Sequence, residues 1–152
     1  EINARFSTRY ARETVADMRQ RVFDRFRDRA PTTRISRRAY RDELRRSRLV
    51  LSPFGWGEIN LRDYEAFIAG AASVKPDMSH LETWPDLFRA DETIISHRWD
   101  LEDLDAVVAR ALAEPERTAH IAATAQREYR DLLTTADGAA AFCTRFAEIV
   151  GG

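Results

Sequence analysis

The chain has 152 residues, of which 44% are hydrophobic and 32% charged, and its formal net charge is −1. That length and balance suit one globular domain with a proper core and exclude a disordered chain. No apolar stretch approaches the ~20 residues needed to cross a bilayer, and the single cysteine, Cys143, excludes an internal disulfide or a cysteine cluster for a metal.

The first residues, EINARFSTRY, lack a basic-then-apolar signal pattern, so a soluble cytoplasmic protein is expected. Residues 9–29 predict a helix with Val15, Met18, Val22 and Phe26 along one face, ended by Pro31. Residues 32–35 are expected to form a short edge strand. Ser36 then caps a second helix that turns Tyr40 and Leu44 inward. The near-neutral total hides an asymmetry here. Residues 1–50 contain fifteen arginines against seven acids, a balance of +8, and the remainder balances at −9. Such a surface suits an anionic partner. No reader motif or interleaved aromatic residues accompany the charge, and nucleic acid is not expected.

Leu49-Val50-Leu51 is short and apolar throughout, as a buried parallel strand is. A turn of small residues, 52–57, leads to an amphipathic helix over residues 62–69, ended by Gly70. The apolar run 71–74 is a second strand, closing at Lys75-Pro76. Beyond it, residues 77–91 read as a loop with one short helical turn under an aromatic lid, and residues 93–96 as a further strand. Asp100 is placed as the cap of a helix over 101–113. Pro115 starts another, to about Leu133. Asp137 opens the last, which is expected to turn Phe142, Phe146 and Ile149 to the core and to bury Cys143. Strands alternating with helices predict an α/β, Rossmann-like three-layer domain with a parallel sheet and a helical carboxyl-terminal end.

The central strand–loop–helix–strand unit holds the chemistry. Gly55 and Gly57, on either side of Trp56, let backbone N–H groups approach an anion without a Cβ in the way. The helix that follows adds partial positive charge at its start and opens with Arg62. Glu65 lies one turn further on the same side, where a carboxylate suits the paired hydroxyls of a ribose. The competing reading is an ordinary turn with Arg62 and Glu65 as a surface ion pair. Trp56 either stacks on a base or sugar or closes the loop against the core. Lys75 either points its ammonium at a diphosphate or is a lone surface lysine.

The run SPFGWGEINLRDYEAFIAGAASVKPD resembles the nucleotide-sugar-binding, carboxyl-terminal half of GT-B glycosyltransferases, in their bacterial group 1-type and exostosin-like branches. The matching positions are Pro53, Gly55, Arg62, Glu65, Ala66, Gly70 and the apolar run 71–74. The resemblance implies Glu65 on the nucleotide ribose, and the Gly55, Trp56 and Gly57 loop with Arg62 near the diphosphate. Many members have two glutamates eight positions apart; here Gly57 stands eight before Glu65, and Glu58 is one place off. The resemblance also implies an acceptor-binding amino-terminal half that closes the cleft. Its absence from this sequence makes the expected protein one domain of a two-domain transferase, inactive alone. No cofactor is implied beyond the nucleotide-sugar donor, and the reaction scheme requires no metal.

The histidines, His80, His97 and His120, lack metal-ligand spacing. His97 follows a strand end, where it is either structural or a substrate contact. Neither a P-loop nor a nucleophile elbow occurs. The main alternative is a non-catalytic α/β interaction domain that docks through its basic amino-terminal surface.

Overall fold

Residues 1–151 are described by the computed structural model. Its chain order is β1 (Ile2–Asn3), α1 (Glu13–Phe26), α2 (Arg37–Leu44), β2 (Leu49–Leu51), α3 (Leu61–Ala69), β3 (Ala72–Pro76), β4 (Ile94–His97), α4 (Leu104–Ala113), α5 (Pro115–Thr134) and α6 (Ala136–Gly151). The four strands form one parallel sheet in the order β1-β2-β3-β4. All carboxyl ends therefore open at one edge, where ligands of open α/β sheets bind.

Both faces of the sheet are covered, which is why its strands read as unbroken apolar runs. Leu49, Leu51, Ala72, Val74 and Ile95 face Val22 and Phe26 of α1 and Leu104 and Val108 of α4. On the other face, Val50 meets Leu44 of α2 and Ala66 of α3, while Ile94 meets Phe67 of α3 and Ala125 of α5. The result is the expected three-layer, Rossmann-like α/β arrangement. Local chemistry sets the boundaries. Ser36 accepts the Ala39 amide to start α2, Asn60 and Asp63 form a capping box for α3, and Gly70 ends α3 at φ 71°. Pro115 opens α5 as expected.

Four expectations are corrected. Residues 32–35 form no strand; the Thr33 carbonyl accepts from the Arg5 guanidinium, and the edge strand is β1, whose neighbour Glu1 accepts the Arg48 amide at 2.8 Å. Residues 77–91 contain no helix, although Met78, Leu87 and Phe88 do lie buried among aromatic side chains. The fourth helix starts at Leu104, because Leu101 sits at φ 68° and Asp100 instead accepts the Glu102 amide at 2.9 Å. On α6, Phe142, Phe146 and Ile149 are 56%, 58% and 69% exposed, and Cys143 is exposed with them. Periodicity marks a face as apolar but does not say what covers it. α6 rests on α5.

The corner between α5 and α6 is set by Gly138, where a Cβ would lie 2.2 Å from the Leu132 carbonyl oxygen. Backbone cannot yield as a side-chain tip can, so Gly138→Ala is expected to cost about 1–3 kcal/mol as overpacking does. Urea unfolding measures it; an unchanged midpoint contradicts this account of the corner.

Candidate functional site

The carboxyl ends of β1 and β2 border a cleft of about 1100 Å³. Three stretches wall it: residues 5–10 after β1, the link between α1 and α2 with Thr32, Arg34 and Ile35, and residues 55–62 after β2 with Glu65 beyond them. Gly55, Trp56, Gly57, Arg62 and Glu65 are thus brought to one cavity. Lys75 is not.

Arg62 is the floor of this cleft rather than a surface charge. Its buried guanidinium donates to the Leu51 carbonyl at 2.7 Å, the Arg5 carbonyl at 2.7 Å, the Asn3 carbonyl at 3.2 Å, the Asn3 side-chain oxygen and the Tyr40 hydroxyl at 3.0 Å. These bonds tie the ends of β1 and β2 together, and burial lowers the Arg62 pKa. The surface ion pair with Glu65 does not form. Tyr40 stands between them, donating its hydroxyl proton to Glu65 Oε2 at 2.8 Å. Burial, with this bond to Glu65 reinforcing it, raises the Tyr40 pKa to about 12. The exposed Glu65 carboxylate is thereby held at the cleft, its second oxygen unbound among the described residues.

Lys75 is fully buried, neither a surface lysine nor a group that reaches the cleft. Its ammonium contacts Asp63 Oδ2 at 3.0 Å and the Glu58 carbonyl, beside the rings of Phe54 and Phe88. Asp63 is equally buried and also accepts from the Ser52 hydroxyl at 2.6 Å and the Asn60 amide at 2.9 Å. Burial lowers the Lys75 pKa against the opposing pull of Asp63. Because Asp63 also closes the cap of α3, this carboxylate already answers the positive end of the helix.

The glycine bend is partly closed on itself, since the Gly55 amide donates to the Gly57 carbonyl at 3.0 Å. The amides of Trp56 and Gly57 have no acceptor among the described residues. Gly55 is small for a packing reason: a Cβ there would approach the Tyr10 hydroxyl to 3.3 Å. At Gly57 a Cβ would meet the Ile59 carbonyl oxygen at 4.0 Å, an ordinary contact. Trp56 lies exposed at the rim, not against the core, with Tyr10 at 5.9 Å and the Arg12 guanidinium at 5.8 Å from its ring.

Several contributors were not singled out in the sequence. Arg19 donates to the Ser7, Pro53 and Phe54 carbonyls at 2.6–2.9 Å, joining the two loops of the cleft. A signal for it existed: residue 19 falls four after Val15 and three before Val22, a charge on the apolar stripe of α1. Arg5 is paired with Glu43 at 2.8 Å. Arg9 and Arg34, both exposed, line the cleft and form no ion pair among the described residues. Elsewhere, Asp103 and Asp105 engage separately, with the Arg98 amide and with Arg25 and Arg29. No group of three metal-binding side chains occurs among the described residues, and no helix there is long and apolar enough to cross a membrane.

Residues 9–144 match the family described as Glycosyl transferase-like. The chain belongs to that family, in keeping with a GT-B glycosyltransferase domain. No curated protein and no solved structure matches it.

Lys75→Met leaves the Asp63 carboxylate buried without its cation, and a loss of about 3–5 kcal/mol is expected in chemical denaturation. A loss near that of an exposed substitution contradicts the pair's role. His97 is buried, and burial lowers its pKa below the ordinary 6.5. Below pH 6.5 the unfolded chain takes up a proton that the folded one does not, so stability falls with pH in that window. In His97→Gln the fall is expected to be shallower; parallel curves contradict it.

Proposed function

We propose that the cleft binds a nucleotide-diphosphate sugar and stabilises the diphosphate as it leaves during glycosyl transfer to an acceptor. Glu65 accepts the ribose hydroxyl protons through its unbound oxygen, held in place by Tyr40. The amides of Trp56 and Gly57 donate to the phosphates, and the Trp56 ring offers a face to the base or sugar. Arg62 and Lys75 serve the donor indirectly, by fixing the floor and the bend. The positive charge facing the phosphates is that of Arg9 and Arg34. When the bond between the anomeric carbon and the phosphate oxygen breaks, that oxygen keeps the electron pair, and donors aimed at it lower the barrier. The acceptor hydroxyl oxygen forms the new bond to the anomeric carbon, and its proton passes to the departing diphosphate.

What supports this reading is one juxtaposition: Glu65, the glycine bend and two unpaired arginines border the same cleft at the carboxyl ends of β1 and β2. Family membership supports the transferase class. Calorimetric titration of uridine- and guanosine-diphosphate sugars tests it, because binding isolates the donor site from turnover. Glu65→Ala is expected to weaken binding by about 10–100-fold, the range of a hydrogen bond to a charged group. Arg9→Ser with Arg34→Ser is expected to weaken it and flatten its salt dependence. Equal binding by wild type and Glu65→Ala, or none by either, rejects the site.

A second reading has its own observation. Arg37, Arg38, Arg41, Arg46 and Arg48 are exposed on and just after α2 and form no ion pair among the described residues. A non-catalytic domain docking an acidic partner through this surface would show salt-dependent binding to a polyanion and no affinity for nucleotide-sugars.

A further inference from the structure

We infer that the carboxyl ends of β3 and β4 form a second binding site, for a neutral hexose ring, with Trp99 as its stacking face and His97 and Asp77 as acceptors of its hydroxyl protons. A recess of about 580 Å³ lies there, lined by Asp77, Ser96, His97, Arg98, Trp99 and Asp103 among others. It is distinct from the donor cleft, with which it shares no lining residue.

His97 is the observation that points to a ligand. The residue is only 4% exposed, yet it lines the recess. Its Nδ1 lies 2.8 Å from the Arg98 carbonyl oxygen, which can only accept, so Nδ1 holds the proton. Nε2 is then an acceptor; it bonds to no described residue and stays open to solvent at the recess, free to accept a hydroxyl proton.

Trp99 is the second observation. Its indole is 51% exposed yet fixed: Nε1–H donates to the Asp77 carbonyl at 2.7 Å, and the Phe54 and His80 rings lie 5.8 and 4.6 Å away at steep angles. A large aromatic surface held still beside a recess binds a flat apolar face with little loss of side-chain freedom. The C–H face of a pyranose is such a surface.

The remaining polar groups select against other ligands. Among the described residues the Asp77 carboxylate bonds only to the Ser79 amide and hydroxyl and keeps free lone pairs for hydroxyl donors. The Arg98 guanidinium is committed to Asp100 and Glu102, so Asp77 and Asp103 leave the recess unsuited to a phosphate or carboxylate. Phe54, from the bend after β2, meets Trp99 directly, which makes the recess a neighbour of the donor cleft. A sugar unit of the acceptor is the ligand that this position fits. The inference stands whether or not the donor reading does, since its probes carry no nucleotide or phosphate.

The test is a titration of the ¹⁵N-labelled protein with methyl glucopyranoside, methyl galactopyranoside, methyl mannopyranoside and the matching disaccharides, following indole N–H signals. A saturable shift of the Trp99 signal, assigned through Trp99→Phe, is expected with at least one of them. Trp99→Ala and Asp77→Asn are each expected to weaken that binding about ten-fold, followed then on backbone amides of β4, while nucleotide-sugar affinity stays unchanged. Asp77→Asn keeps the recess intact if Trp99→Ala disturbs folding. No saturable shift from any sugar, an equal response in Asp77→Asn, or a shift only with inorganic phosphate overturns the inference.

Discussion

A carboxylate without access to water sits where β2, α3 and β3 meet, and three donors keep it there. Asp63 receives the Ser52 hydroxyl, the Asn60 amide and the Lys75 ammonium, one from each element it joins or caps. Isolated, such a charge would be strongly unfavourable; surrounded in this way, it admits one arrangement of the bend between residues 52 and 60. Arg62, the next residue back, faces the other way and does for β1 and β2 what Asp63 does for β2 and β3. Two successive side chains on the first turn of α3 therefore hold three strand ends in register, and the cleft is the space they leave.

This changes how the basic half of the chain is to be understood. Fifteen arginines in fifty residues look like a surface for anions. The fold sorts them into groups with different work. Arg19 points inward to backbone carbonyls, Arg5 both pairs with Glu43 and reaches Thr33, and others along α1 and α2 cover the outside. Among the described residues, only Arg9 and Arg34 line the cleft with guanidinium groups that neither pair with a carboxylate nor donate to a carbonyl. A guanidinium with five donors suits the task of gathering carbonyls at strand ends, which lysine cannot match. That supplies one physical reason for a chain with a single lysine.

The legible and illegible parts of the sequence divide along the same line. β2 was readable because burial on both faces leaves no polar alternation to confuse it, and α2, α3 and α5 because Ser36, Gly70 and Pro115 are local signals. β1 left no legible pattern, since two residues are too few for one. The helix at 101–113 was placed early because Asp100 has the chemistry of a cap and uses it on the Glu102 amide instead. The cleft was half readable. Spacing singled out Gly55, Gly57 and Glu65, which line it, but it could not say that Arg62 turns toward Asn3, 59 residues away in the chain, or that Lys75 turns toward Asp63. Partners that distant leave no local trace.

The seating of α6 has a consequence for motion. A helix that rests on α5, with only Phe142 and Arg145 seen reaching Trp84 and Glu82 beside it, exposes little new surface when it detaches, so its amides are open to local excursions far below the cost of whole-chain unfolding. Those of α3, anchored through Arg62 and Asp63, are not. Deuterium entering from solvent would mark the last turns of the chain first and the start of α3 last, drawing a gradient of opening that runs toward the cleft.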